Sequence, residues 1–213
     1  MRVVIIGGHG RVALRLARLL SARGDSVTSV IRDPDQVDDV EATGATARVA
    51  DVEALSTDEL GEVLRGHDAV VWSAGAGGGN PARTAAVDRD AAIRSIDAAG
   101  AVGVDRYVMV SYFGAGPDHG VPEGDSFHAY AEAKAAADAH LRRSELAWTV
   151  LGPGTLSDAP GTGRIHVGAG APTHAVPRDD VAAVAAAVLL RPETAGRTID
   201  FVGGDTPIEL ALG

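Results

Sequence analysis

Tyr130 and Lys134 stand four residues apart in the run Tyr130-Ala131-Glu132-Ala133-Lys134, and Lys134 is the single lysine of the chain beside eighteen arginines. On a helix this spacing sets both side chains on one face. An ammonium beside a phenol favours the phenolate, so the pair could pass a proton to or from a substrate oxygen. Arginine, planar and effectively never deprotonated, is a poor substitute in that role. A second group of residues offers phosphate chemistry. Gly7-Gly8-His9-Gly10-Arg11-Val12-Ala13 follows an apolar run and opens an amphipathic one. There the backbone N–H groups of a helix N-terminus can hold a pyrophosphate. Proton transfer and dinucleotide binding together describe hydride chemistry with a nicotinamide cofactor.

For these groups to meet, the chain between them must fold as alternating strands and helices. Short branched runs at 3–6, 27–31, 47–49, 69–72, 107–110, 148–151 and 198–202 read as buried strands. Helical patterns occupy 11–23, 34–43, 57–64, 81–99, 127–144 and 179–190, with Gly24, Gly44, Gly66 and Gly100 where C-termini are expected. This alternation predicts an α/β fold of the Rossmann type, a doubly wound and mostly parallel sheet with helices on both faces. Length and the lack of any linker predict one domain over 1–213. Residues 152–178, rich in Gly, Pro, Thr and His, are expected to form a small substrate-side segment.

The ends of the strands supply further cofactor candidates. Arg32 follows the second strand, where an arginine accommodates the 2′-phosphate of NADP and an acidic residue selects NAD. With Arg11 it could clamp one phosphate, which points to NADP. Asp33, one residue on, keeps NAD as the alternative. Asp51 and Val52 follow the third strand as adenine-edge candidates. The nearly side-chain-free run Ala74-Gly75-Ala76 follows the fourth, where backbone passes close to a cofactor. His9 could touch a phosphate from within the glycine loop.

Composition narrows the function classes. A formal net charge of −10 argues against nucleic acid or an anionic membrane as partner. The absence of cysteine excludes disulfides and thiol catalysis. The seven histidines show no His-x3-His pair and no carboxylate–His cluster at ligand spacing, so no metal site is expected. No signal-type segment and no apolar span long enough for a bilayer are legible, and the expected location is cytoplasmic.

Taken together, GGHGRVA, VIRDP, Val87-Asp88, GVDRYVMVS, FHAYAEAK, LGPGTL and PRDDVAAV resemble an atypical short-chain dehydrogenase/reductase of the NAD(P)H-binding, NmrA-like kind. The resemblance covers essentially the whole chain. It implies NADP bound over the carboxyl ends of the strands and a Ser–Tyr–Lys set for carbonyl–alcohol interconversion. Tyr130 would be the general acid/base, Lys134 its pKa-lowering and ribose-binding partner, and Ser111 the substrate-orienting serine. Pro153 and Gly154 would border the nicotinamide. Two positions depart from the family pattern. The usual Ser-Ser pair is Ser111-Tyr112, which leaves the serine's role open, and the arginine common before Pro-Gly is Gly152. The leading expectation is an NADP-dependent oxidoreductase acting on a small carbonyl, alcohol or quinone/flavin-like acceptor. A non-catalytic NADP(H) sensor acting through a protein partner is the alternative, and a nucleotide-sugar epimerase or dehydratase ranks after it.

Overall fold

The computed structural model describes residues 1–77, 80–170 and 175–213. Six strands alternate with helices along the first three-quarters of the chain: β1 (Arg2–Ile6), α1 (Arg11–Ala22), β2 (Ser26–Ile31), α2 (Val37–Glu41), β3 (Thr46–Val49), α3 (Thr57–Leu64), β4 (Ala69–Trp72), α4 (Pro81–Thr84), α5 (Ala92–Val102), β5 (Arg106–Val110), α6 (His128–Arg143) and β6 (Ala147–Pro153). There follow β7 (Thr155–Ser157), β8 (Arg164–Val167), β9 (Ala175–Pro177), α7 (Arg178–Val188), β10 (Arg197–Gly203), β11 (Thr206–Pro207) and α8 (Ile208–Ala211). Seven strands run parallel in the order β3-β2-β1-β4-β5-β6-β10, and β8 and β11 extend the last edge antiparallel.

The sheet is buried on both faces because its strands are apolar on both. Val3, Val4, Ile5 and Ile6 are all inaccessible to solvent, odd residues facing one core and even residues the other. One face is covered by α1 and α7, the other by α3, α5 and α6. Helix α1 meets the sheet through Val12, Ala13, Leu16, Ala17 and Leu20, the spacing of a single helical stripe. It stops at Gly24 (φ +90°), whose N–H bonds back to Ser21. Helix α3 begins with a reciprocal Ser56/Glu59 capping box.

Several boundaries differ from the sequence reading. Residues 34–43 start with a 3-10 turn from Pro34 to Gln36, capped by Asp33, before α2. The expected helix at 81–99 contains a π-helical stretch, Ala85–Ala91, and continues through Gly100 to end at Gly103 (φ +72°). Segment 152–178 is not merely a loop. Its β8 joins the main sheet and its β7 pairs with β9 in a separate two-stranded sheet, while residues 171–174 lie outside the described residues.

Candidate functional site

The order in which successive strands are added to the sheet reverses between β1 and β4, and a cleft of about 360 Å³ opens at their carboxyl ends. Such a switch point is where open α/β sheets bind ligands. Gly7, His9, Gly10, Arg32, Asp51, Val52, Ala74 and Gly75 all line it. Two of the glycines are required by close approach. A Cβ on Gly7 (φ +81°) would lie 2.5 Å from Ala74 Cα, and one on Gly8 2.5 Å from Ser29 Cβ. Both contacts press the loop against its neighbours, and Gly7 and Gly10 line the cleft with bare backbone just before α1.

Some expected residues are turned elsewhere. Arg11 is not in the cleft. Its guanidinium pairs with Asp158 beyond β7 at 2.7 Å, and Arg178 binds the other oxygen of the same carboxylate at 2.9 Å. The two-arginine clamp of Arg11 with Arg32 is thus not assembled. Asp33 is absent from the lining as well, because its carboxylate caps the Pro34–Gln36 turn through Asp35 N–H. Val12 is buried in the core under the loop. His9 is held by Asp39 at 2.8 Å, and Ala76 carries its N–H to Asp88. Gln36 and Arg83 line the cleft without having been singled out; Arg83 bonds Ala76 O and Glu53.

A second cleft of about 560 Å³ lies at the ends of β5 and β6, lined by Ser111, Tyr112, Phe113, Phe127, Tyr130 and Pro153 among others. Its wall is aromatic: Tyr112 and Phe127 meet edge to face at 5.1 Å, and Tyr130 lies 5.1 Å from Phe127 and 5.8 Å from Tyr112. Gly152 is accounted for here. A Cβ on it would overlap the carboxylate of Asp200, its register partner on β10.

The Tyr130–Lys134 pair is not arranged as expected. Lys134 is 1% exposed and lines neither cleft. Its Nζ donates to Val110 O at 2.8 Å and to Met109 Sδ at 3.3 Å, and no hydrogen bond joins it to Tyr130. Burial pushes the ammonium pKa down, while Asp138 and Asp88 pull it back up. The Tyr130 phenol is pushed up, first by burial and then by Asp88, Asp138 and Tyr112, opposite to the lowering that an adjacent ammonium would give. Phenolate formation at neutral pH is disfavoured in this state.

Lys134 instead belongs to an interior charge system. Asp138, one turn on along α6, is fully buried and accepts the Ser111 hydroxyl at 2.6 Å. Asp88, 1% exposed in the π-helical stretch, accepts Ala76 N–H at 3.0 Å. Burial raises both carboxyls and Lys134 opposes the rise in each. The widened turn is a common device at functional sites for redirecting one side chain. Asp138 was legible in principle: Tyr130, Lys134 and Asp138 repeat every four residues on an otherwise alanine-rich face.

The histidine expectation also needs correction. His119, His128 and Glu132 come together at the first turns of α6, their ligand-type atoms within 4.8 Å of one another. Val121 N–H donates to His119 Nδ1, which leaves the proton on Nε2 to donate to Glu132 at 2.9 Å. His128 Nδ1 bonds Val121 O. Two imidazoles thus grip one residue, Val121, by its N–H and its carbonyl, and latch the loop before α6; the Nε2 proton of His119 stands where an ion would have to go.

Comparison with known proteins accords with the glycine-loop cleft. Residues 7–192 match the NAD(P)H-binding family. The chain belongs to that family. The Bacillus subtilis protein YhfK, named an uncharacterized sugar epimerase, is 36% identical over 214 residues, covering 100% of this chain and 99% of its own. Among solved structures, a Bacillus halodurans protein named for NAD-dependent epimerase/dehydratases superposes with TM-score 0.91 at 32% identity, covering 100% of this chain and 98% of that one. The Lactococcus lactis oxidoreductase ylbE gives 0.88 at 27%, covering 100% and 95%. The chain shares its Rossmann-like fold with these neighbours, and in that fold ligands bind at the switch point where the glycine-loop cleft lies. Among the described residues no helix is long and apolar enough to cross a membrane.

Proposed function

We propose that this protein is an NADP-dependent oxidoreductase of the short-chain dehydrogenase/reductase type, cytoplasmic, reducing a flat quinone- or flavin-like acceptor or a small carbonyl. The observation that carries the reading is the aromatic second cleft beside Ser111 and Pro153, at the same sheet edge as the dinucleotide cleft. Its Tyr112–Phe127–Tyr130 wall suits a planar conjugated ring. The residues of the first cleft fit the cofactor: Gly7 and Gly10 line it with bare backbone for the pyrophosphate, and Arg32 in the lining with Asp33 turned away supports the 2′-phosphate of NADP. When bound, the reduced nicotinamide supplies a hydride. Tyr130, kept neutral by its raised pKa, acts as a hydrogen-bond donor to the substrate oxygen and not as a phenolate base.

The test is NADPH oxidation across quinones, flavins and small carbonyls with wild type and Tyr130→Phe. Turnover with at least one acceptor, reduced about tenfold or more by the substitution, is expected. Equal rates remove Tyr130 from the mechanism. Tight cofactor binding, no turnover and a co-purifying protein would establish the sensor alternative. The names of the Bacillus relatives supply the epimerase reading, which the same assay tests with nucleotide sugars and catalytic NAD.

A further inference from the structure

We propose that Asp138 holds a proton at neutral pH and delivers it to the second cleft through the Ser111 hydroxyl. The destination of that proton rests on the reductase reading above. Lys134, Asp88 and Asp138 are at most 1% exposed, so one buried ammonium faces two buried carboxyls. The groups that bear on Asp138 are Lys134 and Arg142 on its own helix, the Ser111 hydroxyl, Tyr107 on β5, Tyr112, Tyr130 and Asp200 on β10. Arg83, Arg142 and Asp200 are only partly buried, so within the interior two carboxylates would outnumber one cation by one. An excess buried charge is costly, and one proton removes it.

Hydrogen bonding decides where the proton sits. Asp88 accepts a backbone N–H from Ala76, which favours its ionised form. Asp138 has only the Ser111 hydroxyl for a partner, and its Oδ1 is buried with none. An orphan oxygen is a poor setting for a carboxylate and a tolerable one for the carbonyl of an acid. With the proton on Oδ2, the 2.6 Å bond reverses: Asp138 donates to Ser111 Oγ, and the hydroxyl hydrogen of Ser111 is free to enter the cleft that Ser111 lines.

The step balances. The Ser111 Oγ–H bond breaks as an O–H bond forms on the substrate, and the Asp138 Oδ2–H bond breaks as Ser111 Oγ–H is restored. The carboxylate left behind faces the Lys134 ammonium. The electron pair for reduction comes as hydride from NADPH; these residues move only the proton. Asp138 never touches substrate and acts through Ser111 as a positioning residue. This also gives the lone lysine a purpose: its compact ammonium fits the interior where the broader guanidinium would not.

Infrared spectroscopy of the cofactor-free protein at pH 7 tests the proposal, since exposed carboxyls are ionised there and only a protonated one gives a carboxylic-acid C=O band. Wild type should show the band, Asp138→Asn should lack it, and Ser111→Ala should shift it. No band in wild type overturns the proposal, as does a band that survives Asp138→Asn or disappears in Asp200→Asn. Should Asp138→Asn not fold, an unshifted band in Ser111→Ala overturns it alone. Turnover without the band overturns the proton store and leaves the reductase reading standing. The band without turnover on any acceptor supports the proton store and overturns the reductase reading.

Discussion

Replacing Lys134 by methionine isolates the interior charge system, because the side chain keeps its length and loses only its charge and donors. The ammonium now supplies Val110 O with a hydrogen bond and offsets the fields of Asp88 and Asp138. Removing one partner of a buried charge cluster costs roughly 3–5 kcal/mol. For a chain of this size that corresponds to a melting temperature lower by about 10 °C. The loss must depend on pH, with a sign the structure fixes. Both carboxyls are already raised by burial, and without the ammonium they rise further above the ~3.9 of an unfolded aspartate. Over the interval between the unfolded and folded pKa values the folded state binds more protons, so its stability falls as pH rises. Urea unfolding followed by circular dichroism at pH 5 and pH 8 should therefore show a small deficit at the lower pH and the full one at the higher. Adding Asp88→Asn should recover more than half of the loss at pH 8, since its carboxylate is the charge left without the ammonium. A Lys134→Met protein as stable as wild type at pH 8, or a deficit the same at both values, would refute the reasoning.

Other perturbations address the clefts. Arg32→Ala should weaken NADP binding by calorimetry about 10- to 100-fold, the worth of a charge-assisted contact, with NAD affinity nearly unchanged. An equal change for both cofactors would place the 2′-phosphate elsewhere. Gly152→Ala forces a methyl group into the Asp200 carboxylate and should cost about 1–3 kcal/mol by thermal or urea unfolding. Asp200→Ala in the same chain should restore most of it; lack of rescue would mean that the strain is not at that contact.

The sequence alone determined the fold and the glycine-loop cleft, because both depend on local signals. Branched runs four to six residues long must be strands buried on both faces, amphipathic runs between them must be crossover helices, and a glycine turn joining the first such pair leaves backbone N–H groups at a helix start. Helical spacing likewise put Tyr130 and Lys134 on one face, which the structure keeps. Spacing does not say what that face meets across the interface. Lys134 turned inward because Val110 O, Asp88 and Asp138 surround the inner end of its stem, and Asp88 arrives from a helix some 46 residues earlier, reoriented by a π turn. Arg11 turned from the cofactor to Asp158, 147 residues away, and His119 was carried to Glu132 by a loop with no periodic signature. Long side chains go where opposite charge and unfilled acceptors are found, and only the folded chain decides which of those lie within reach.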